Sequence, residues 1–84
     1  MYSYGDVVIS KNGRFKDKLF VVLKCDGQFA YLADGKSRRL KNPKKKNIKH
    51  LEKVECINNM INNVPQYAVD ASIRRNLKNL KGGS

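Results

Sequence analysis

The stretch KLFVVLKCDGQFAYLA, residues 18–33, decides how this chain folds. Its first half, Lys18 to Cys25, holds Leu19, Phe20, Val21, Val22 and Leu23. Its last six residues, Gln28 to Ala33, alternate, with Phe29 and Tyr31 on one face and Ala30 and Leu32 on the other. β-Branched and aromatic residues suit a pleated, half-buried surface, so both halves read as strands. Asp26-Gly27 between them predicts a two-residue hairpin turn of type I′, which needs positive φ at both central positions.

Upstream, Val7, Val8 and Ile9 within Asp6 to Ser10 form another strand, and Asn12-Gly13 and Asp34-Gly35 mark further turns. Downstream, short strands are expected around Lys36 to Leu40 and around Asn47 to Leu51. Pro43 cannot donate to a ladder, so Lys41 to Lys46 reads as a loop or edge. The expectation is a mainly β chain, a small barrel or sandwich of about five strands.

After residue 52 the period changes. Val54, Ile57, Ile61 and Val64 recur at helical spacing, with Glu52 and Glu55 near the start and Pro65 as a stop. Four asparagines between Asn58 and Asn63 work against that helix. A second helix is better marked, with Asp70 as N-cap and Ile73, Leu77 and Leu80 on one face. The expected organisation is therefore a barrel over 1–52, a helical extension packed on it over 53–81, and a flexible tail over 82–84.

Eighty-four residues make one small domain, with 40% hydrophobic residues for its core. Eighteen Lys and Arg against seven Asp and Glu give a formal charge of +11. Solubility in a domain of this size needs a net charge of only about 2–8, so a polyanionic partner is expected. The longest aliphatic and aromatic run, Leu19 to Leu23, is far short of the roughly 20 residues that span a bilayer. The first residues have neither the basic end nor the apolar stretch of a secretory leader. Cys25 and Cys56 lie too far apart in sequence for a zinc knuckle or redox pair, which fits a reducing, cytoplasmic setting. With His50 they offer at most three metal ligands and no close-spaced pair, so no metal and no cofactor are expected.

Eight cations crowd the segment from Lys36 to His50: Lys36, Arg38, Arg39, Lys41, Lys44, Lys45, Lys46 and Lys49. No acid falls between Asp34 and Glu52. This density is the footprint of a phosphate-tracking surface, and a solvated loop or localisation signal is the plainer alternative. A second patch, Lys11, Asn12, Gly13, Arg14, Lys16 and Lys18, surrounds the first turn, where a glycine lets backbone approach a phosphate; a merely structural hairpin with a basic tip is the plainer alternative. Phe15 sits at that loop tip and has two readings: stacking on an unpaired base, or folding back on the apolar face. His50 is either a phosphate or stacking contact or an ordinary strand residue. No residue beside it supplies the nucleophile or orienting acid that a catalytic base needs.

Residues Gly5 to Arg14, followed by Lys16 and Leu19-Phe20-Val21-Val22, resemble a KOW motif, a β–loop–β element with a glycine at its turn. Leu32-Ala33-Asp34-Gly35, Arg38-Arg39-Leu40 and Asn42 to Leu51 are similar to one branch of that group. That branch comprises free-standing KOW-domain RNA-binding proteins related to a large-subunit ribosomal protein. The likeness covers residues 4–51 and implies an SH3-like barrel docking on ribosomal or other structured RNA. By position it implies contacts from Lys11, Gly13, Arg14 and Lys16 in the loop. It also implies contacts from Arg38, Arg39, Lys44, Lys45, Lys46, Lys49 and His50 along the basic strand region. Asp17 departs from the pattern, standing where many members have a second glycine.

The expected function is a non-catalytic, monomeric RNA-binding protein of the translation apparatus, with no membrane partner and no small-molecule substrate. The alternative is a KOW-type protein-docking module that meets an acidic protein surface.

Overall fold

A computed structural model describes residues 2–11, 13–14 and 16–82. Five strands, β1 (Asp6–Ser10), β2 (Leu19–Asp26), β3 (Phe29–Ala33), β4 (Lys44–Asn47) and β5 (Leu51–Cys56), form one antiparallel sheet. Their order is β4-β3-β2-β1-β5, so β4 and β5 are its edges and the sheet stays open. Two helices follow, α1 (Asn58–Asn62) and α2 (Val69–Gly82). No helix among the described residues is long and apolar enough to cross a membrane.

The apolar run of β2 is continuous because both faces of the sheet are covered. Phe20, Val21 and Val22 are all fully buried, although neighbours along a strand point to opposite faces. On one face Val7, Val21 and Ala33 pack against Ile57, Ile61, Val69, Ile73 and Leu77 from the helical segment. On the other, Val8, Phe20, Val22, Ala30 and Leu32 join Leu51 of the far edge strand, with Tyr2, Cys25 and Ile48 around them. No helix belongs to this second cluster. Residues from β3 and β5 share it with Val8, Phe20 and Val22 of the two strands that lie between them. Irregularities between Val7 and Val8 and between Val22 and Lys24 supply local bends.

Several elements differ from the sequence expectation. The hairpin loop is Gly27-Gln28, one residue later than Asp26-Gly27, because Asp26 pairs with Phe29. Only Gly27 takes positive φ, at 65°, so the turn is not type I′; glycine first in the loop is the II′ arrangement.

The strand expected at Lys36 to Leu40 is absent, because Asp34 captures that backbone. Its carboxylate accepts the N–H groups of Lys36 and Arg38, each at 2.8 Å, while Arg38 O accepts from Asp34 and Gly35. The strand forms after Pro43 instead, as β4 at the edge. The segment Asn47 to Leu51 is mostly a 3₁₀ turn, Ile48–His50, capped where the Asn47 side chain accepts the N–H of Lys49.

β5 then pairs with β1 from Ser10↔Leu51 to Asp6↔Cys56, carrying the sheet past residue 52. Val54 therefore lies on a strand, 48% exposed, and the first helix shrinks to Asn58–Asn62. α2 forms as expected with Ile73 and Leu77 buried, but it starts at Val69. Asp70 sits inside the first turn, and its carboxylate accepts the N–H of Leu40 at 3.0 Å rather than capping its own helix. The tail residues 83–84 lie outside the described residues.

Candidate nucleic-acid interface

β4 is a strand by pairing, not by propensity, since its sequence is Lys44-Lys45-Lys46-Asn47. Lys44 pairs with Leu32 and Lys46 with Ala30, so both lysines stand on the sheet face that carries the second cluster, at the β4 rim. Lys45 and Asn47 point the other way, beside Tyr31 and Phe29. The period of two thus divides a continuous lysine run between two surfaces.

Two loops bring further cations to the rim. The β1–β2 loop is tied at its base, where Asp17 N–H donates to Ser10 O at 2.7 Å and Lys11 N–H to His50 O at 2.8 Å. Within it, Lys16 N–H reaches Gly13 O at 3.2 Å. Gly13 has φ 80°, and a Cβ placed on it would lie 3.8 Å from Lys46 Nζ, which puts the loop tip against β4. Asp17 takes φ 68°, so the position where the resemblance has glycine does adopt a left-handed backbone.

The electrostatics register the convergence. The Lys44 ammonium is held below its ordinary pKa, first by partial burial and then by the charges of Arg38, Lys46 and Arg14. Arg14 comes from the β1–β2 loop, Arg38 from the β3–β4 connection, and the two lysines from β4. The charges of Arg38, Lys46 and Arg14 therefore all act on the Lys44 ammonium. Two buried carboxylates are already engaged elsewhere, Asp34 with Lys18 at 3.0 Å and Asp6 with Lys53 at 3.3 Å. Burial acts to raise the Asp34 pKa, but the N–H groups of Arg38 and Lys36, together with Lys18, outweigh it and hold the carboxyl low.

The remaining expected site residues are more dispersed. Lys36 is exposed and lines a separate cleft beside α2. Arg39 folds onto its own loop, Nε donating to Lys36 O at 3.3 Å. Lys41 and Lys49 are exposed, and His50 is half-buried with its carbonyl engaged by Lys11. Asn12 and Phe15 lie outside the described residues.

Phe29 and Tyr31, which alternation puts on one face of β3, stand outside the core. Both rings are half-buried and neither belongs to the two core clusters. Lys45 Nζ stands 4.5 Å from the Phe29 ring centre and Lys24 Nζ 5.1 Å from that of Tyr31. The outer face of β3 is thus an aromatic surface bordered by cations. Alternation along β3 could not reveal it, because that strand is apolar on both faces; the lysine and asparagine across from it on β4 were the available signal.

Such a rim, with point charges from lysine and forked donors from arginine, can hold several anionic oxygens at once. In comparisons with known proteins, the chain matches no family model and no curated protein.

Proposed function

We propose that this protein is a non-catalytic RNA-binding protein that docks on structured, ribosomal RNA through the β4 rim of its sheet. The observation that carries the reading is the convergence of Arg14, Arg38, Lys44 and Lys46 from three separate parts of the chain. Holding like charges together costs stability, and a phosphate backbone is the partner that reverses the sign of that cost. The KOW resemblance runs through the same β1–β2 loop and the same lysine strand. The SH3-like barrel it implies is supported by the five short antiparallel strands and by the one apolar cluster that residues of β1, β2, β3 and β5 share. A monomer in the cytoplasm, bound to the ribosome, goes with this reading.

The test is co-sedimentation with purified ribosomal particles beside binding to duplex DNA across a salt series. Retention on the particles at salt that strips the DNA is the expected result. Equal loss from both would reduce the protein to a general polyanion binder and remove structured RNA as its partner.

A further inference from the structure

α2 presents two unlike faces. Ile73 and Leu77 are buried against the sheet, while Arg74, Arg75 and Lys78 are exposed. Between that cationic face and the sheet runs an open cleft of about 930 Å³. Its floor is aliphatic, made by Leu19 of β2 with Ala71 and Leu77 of α2. Its walls carry Lys36, Arg75 and Lys78, none of them ion-paired among the described residues.

One side of the cleft is tied to the sheet. Arg74 donates from Nη1 to Gly35 O at 2.8 Å, which clamps the helix to the β3–β4 turn. The approach is so close that a Cβ on Gly35 would fall 2.1 Å from Asp70 O. The single carboxylate in the lining, Asp34, is already held by Lys18 and by two backbone N–H groups.

We propose that this cleft docks a short acidic peptide segment of a partner protein, carboxylates on the cationic walls and an aliphatic side chain on the floor. An aliphatic floor framed by unpaired cations matches such a segment in both chemistry and shape. RNA fits it less well. A phosphate backbone makes no use of Leu19, Ala71 and Leu77, and among the described residues the lining holds no aromatic ring on which a base can stack. The proposal does not rest on RNA binding at the rim, which uses different residues.

The probe is a fluorescent peptide of alternating glutamate and leucine, measured by anisotropy beside an all-glutamate peptide of equal length and an RNA hairpin. The paired variants Arg75→Gln/Lys78→Gln and Lys44→Gln/Lys46→Gln remove the same net charge, so general electrostatics affects both alike. The leucine-containing peptide binds the wild type more tightly than the all-glutamate one. Its affinity falls about tenfold in Arg75→Gln/Lys78→Gln, a change of about 1.4 kcal/mol, and little in the β4 pair. Ala71→Gln, which fills the floor without opposing the helix, weakens the same peptide; thermal unfolding confirms that each variant is folded. Equal binding of the two peptides, equal loss in both pairs, or no effect of Ala71→Gln overturns the proposal. Loss of RNA binding with peptide binding intact in the α2 pair would instead assign the cleft to RNA.

Discussion

Neutralising Lys44 and Lys46 together, as Lys44→Gln/Lys46→Gln, tests the proposed RNA surface where it is most specific. Each cation on a phosphate releases about 0.7–0.9 counterions, which sets the slope of log K against log salt. Arg14, Arg38, Lys44 and Lys46 acting together then give a slope of roughly −3. The double variant keeps two of the four and has a slope of about −1.5. Over a fourfold rise in salt, from about 50 to 200 mM, wild-type affinity falls about sixtyfold and the variant's about eightfold.

Two controls come from the strand itself. Lys45→Gln removes one charge, half of what the double variant removes, from the opposite face of β4 and changes the slope by less than about 0.5, since that side chain meets Phe29 instead. Stability separates binding from folding. Lys44 loses its proton more easily in the folded state than in the unfolded one, so its positive charge opposes folding at neutral pH. Removing that charge relieves the opposition, and the double variant holds or gains thermal stability. Fluorescence anisotropy with a ribosomal RNA stem-loop reads the slope. An unchanged slope in the double variant, or an equal drop in Lys45→Gln, refutes the assignment of the rim.

Three further outcomes follow from the geometry. Gly35→Ala destabilises by about 2–4 kcal/mol in urea denaturation, because φ 78° is strained for alanine and its Cβ meets helix backbone. Asp34 binds its proton more weakly folded than unfolded, so its stabilisation is complete above the unfolded pKa and is lost as pH falls through the lower, folded one. Urea curves across acid pH show this loss in the wild type, and Asp34→Asn is less stable at neutral pH and lacks that loss. At the left-handed position 17, Asp17→Gly holds or raises the melting temperature, whereas Asp17→Val lowers stability by about 1–2 kcal/mol.

The parts of the fold that showed in the sequence are those where burial and propensity agree. β1, β2 and β3 carry the β-branched and aromatic residues that fill both faces, and α2 carries its buried stripe of Ile73 and Leu77. β5 was hidden because only Leu51 of its six residues is buried, leaving no alternation to read. Val54 fell into helical step with Ile57 and Ile61, two residues that do reach the core, and so drew the helix too far upstream. The segment after β3 misled for a different reason. A local side-chain capture by Asp34 decided its backbone, and Asp-Gly announces a turn without saying how many following residues it takes. Of the site, charge density was legible and position was not. That Arg14 meets Lys44 depends on which strands lie at the sheet edge, which no spacing along the chain encodes.

A lysine-rich edge strand has an explanation without any ligand: charge along an edge prevents strand pairing with another chain. That account covers β4 taken alone, since Lys44, Lys45 and Lys46 would discourage an approaching strand on both faces. It does not cover the arginines. Edge protection needs charge only on the edge, and it gains nothing when Arg38 and Arg14, from separate loops, add to the burial that lowers the pKa of Lys44. Nor does it require Gly13, at the tip of the β1–β2 loop, to lie within contact distance of Lys46. A protein that needed only a blunt edge would keep those loops apart and let solvent screen each lysine. Bringing four cations together at one rim has a physical use when an extended anion lies across them, and that surplus of convergence over protection is what supports the proposed binding surface.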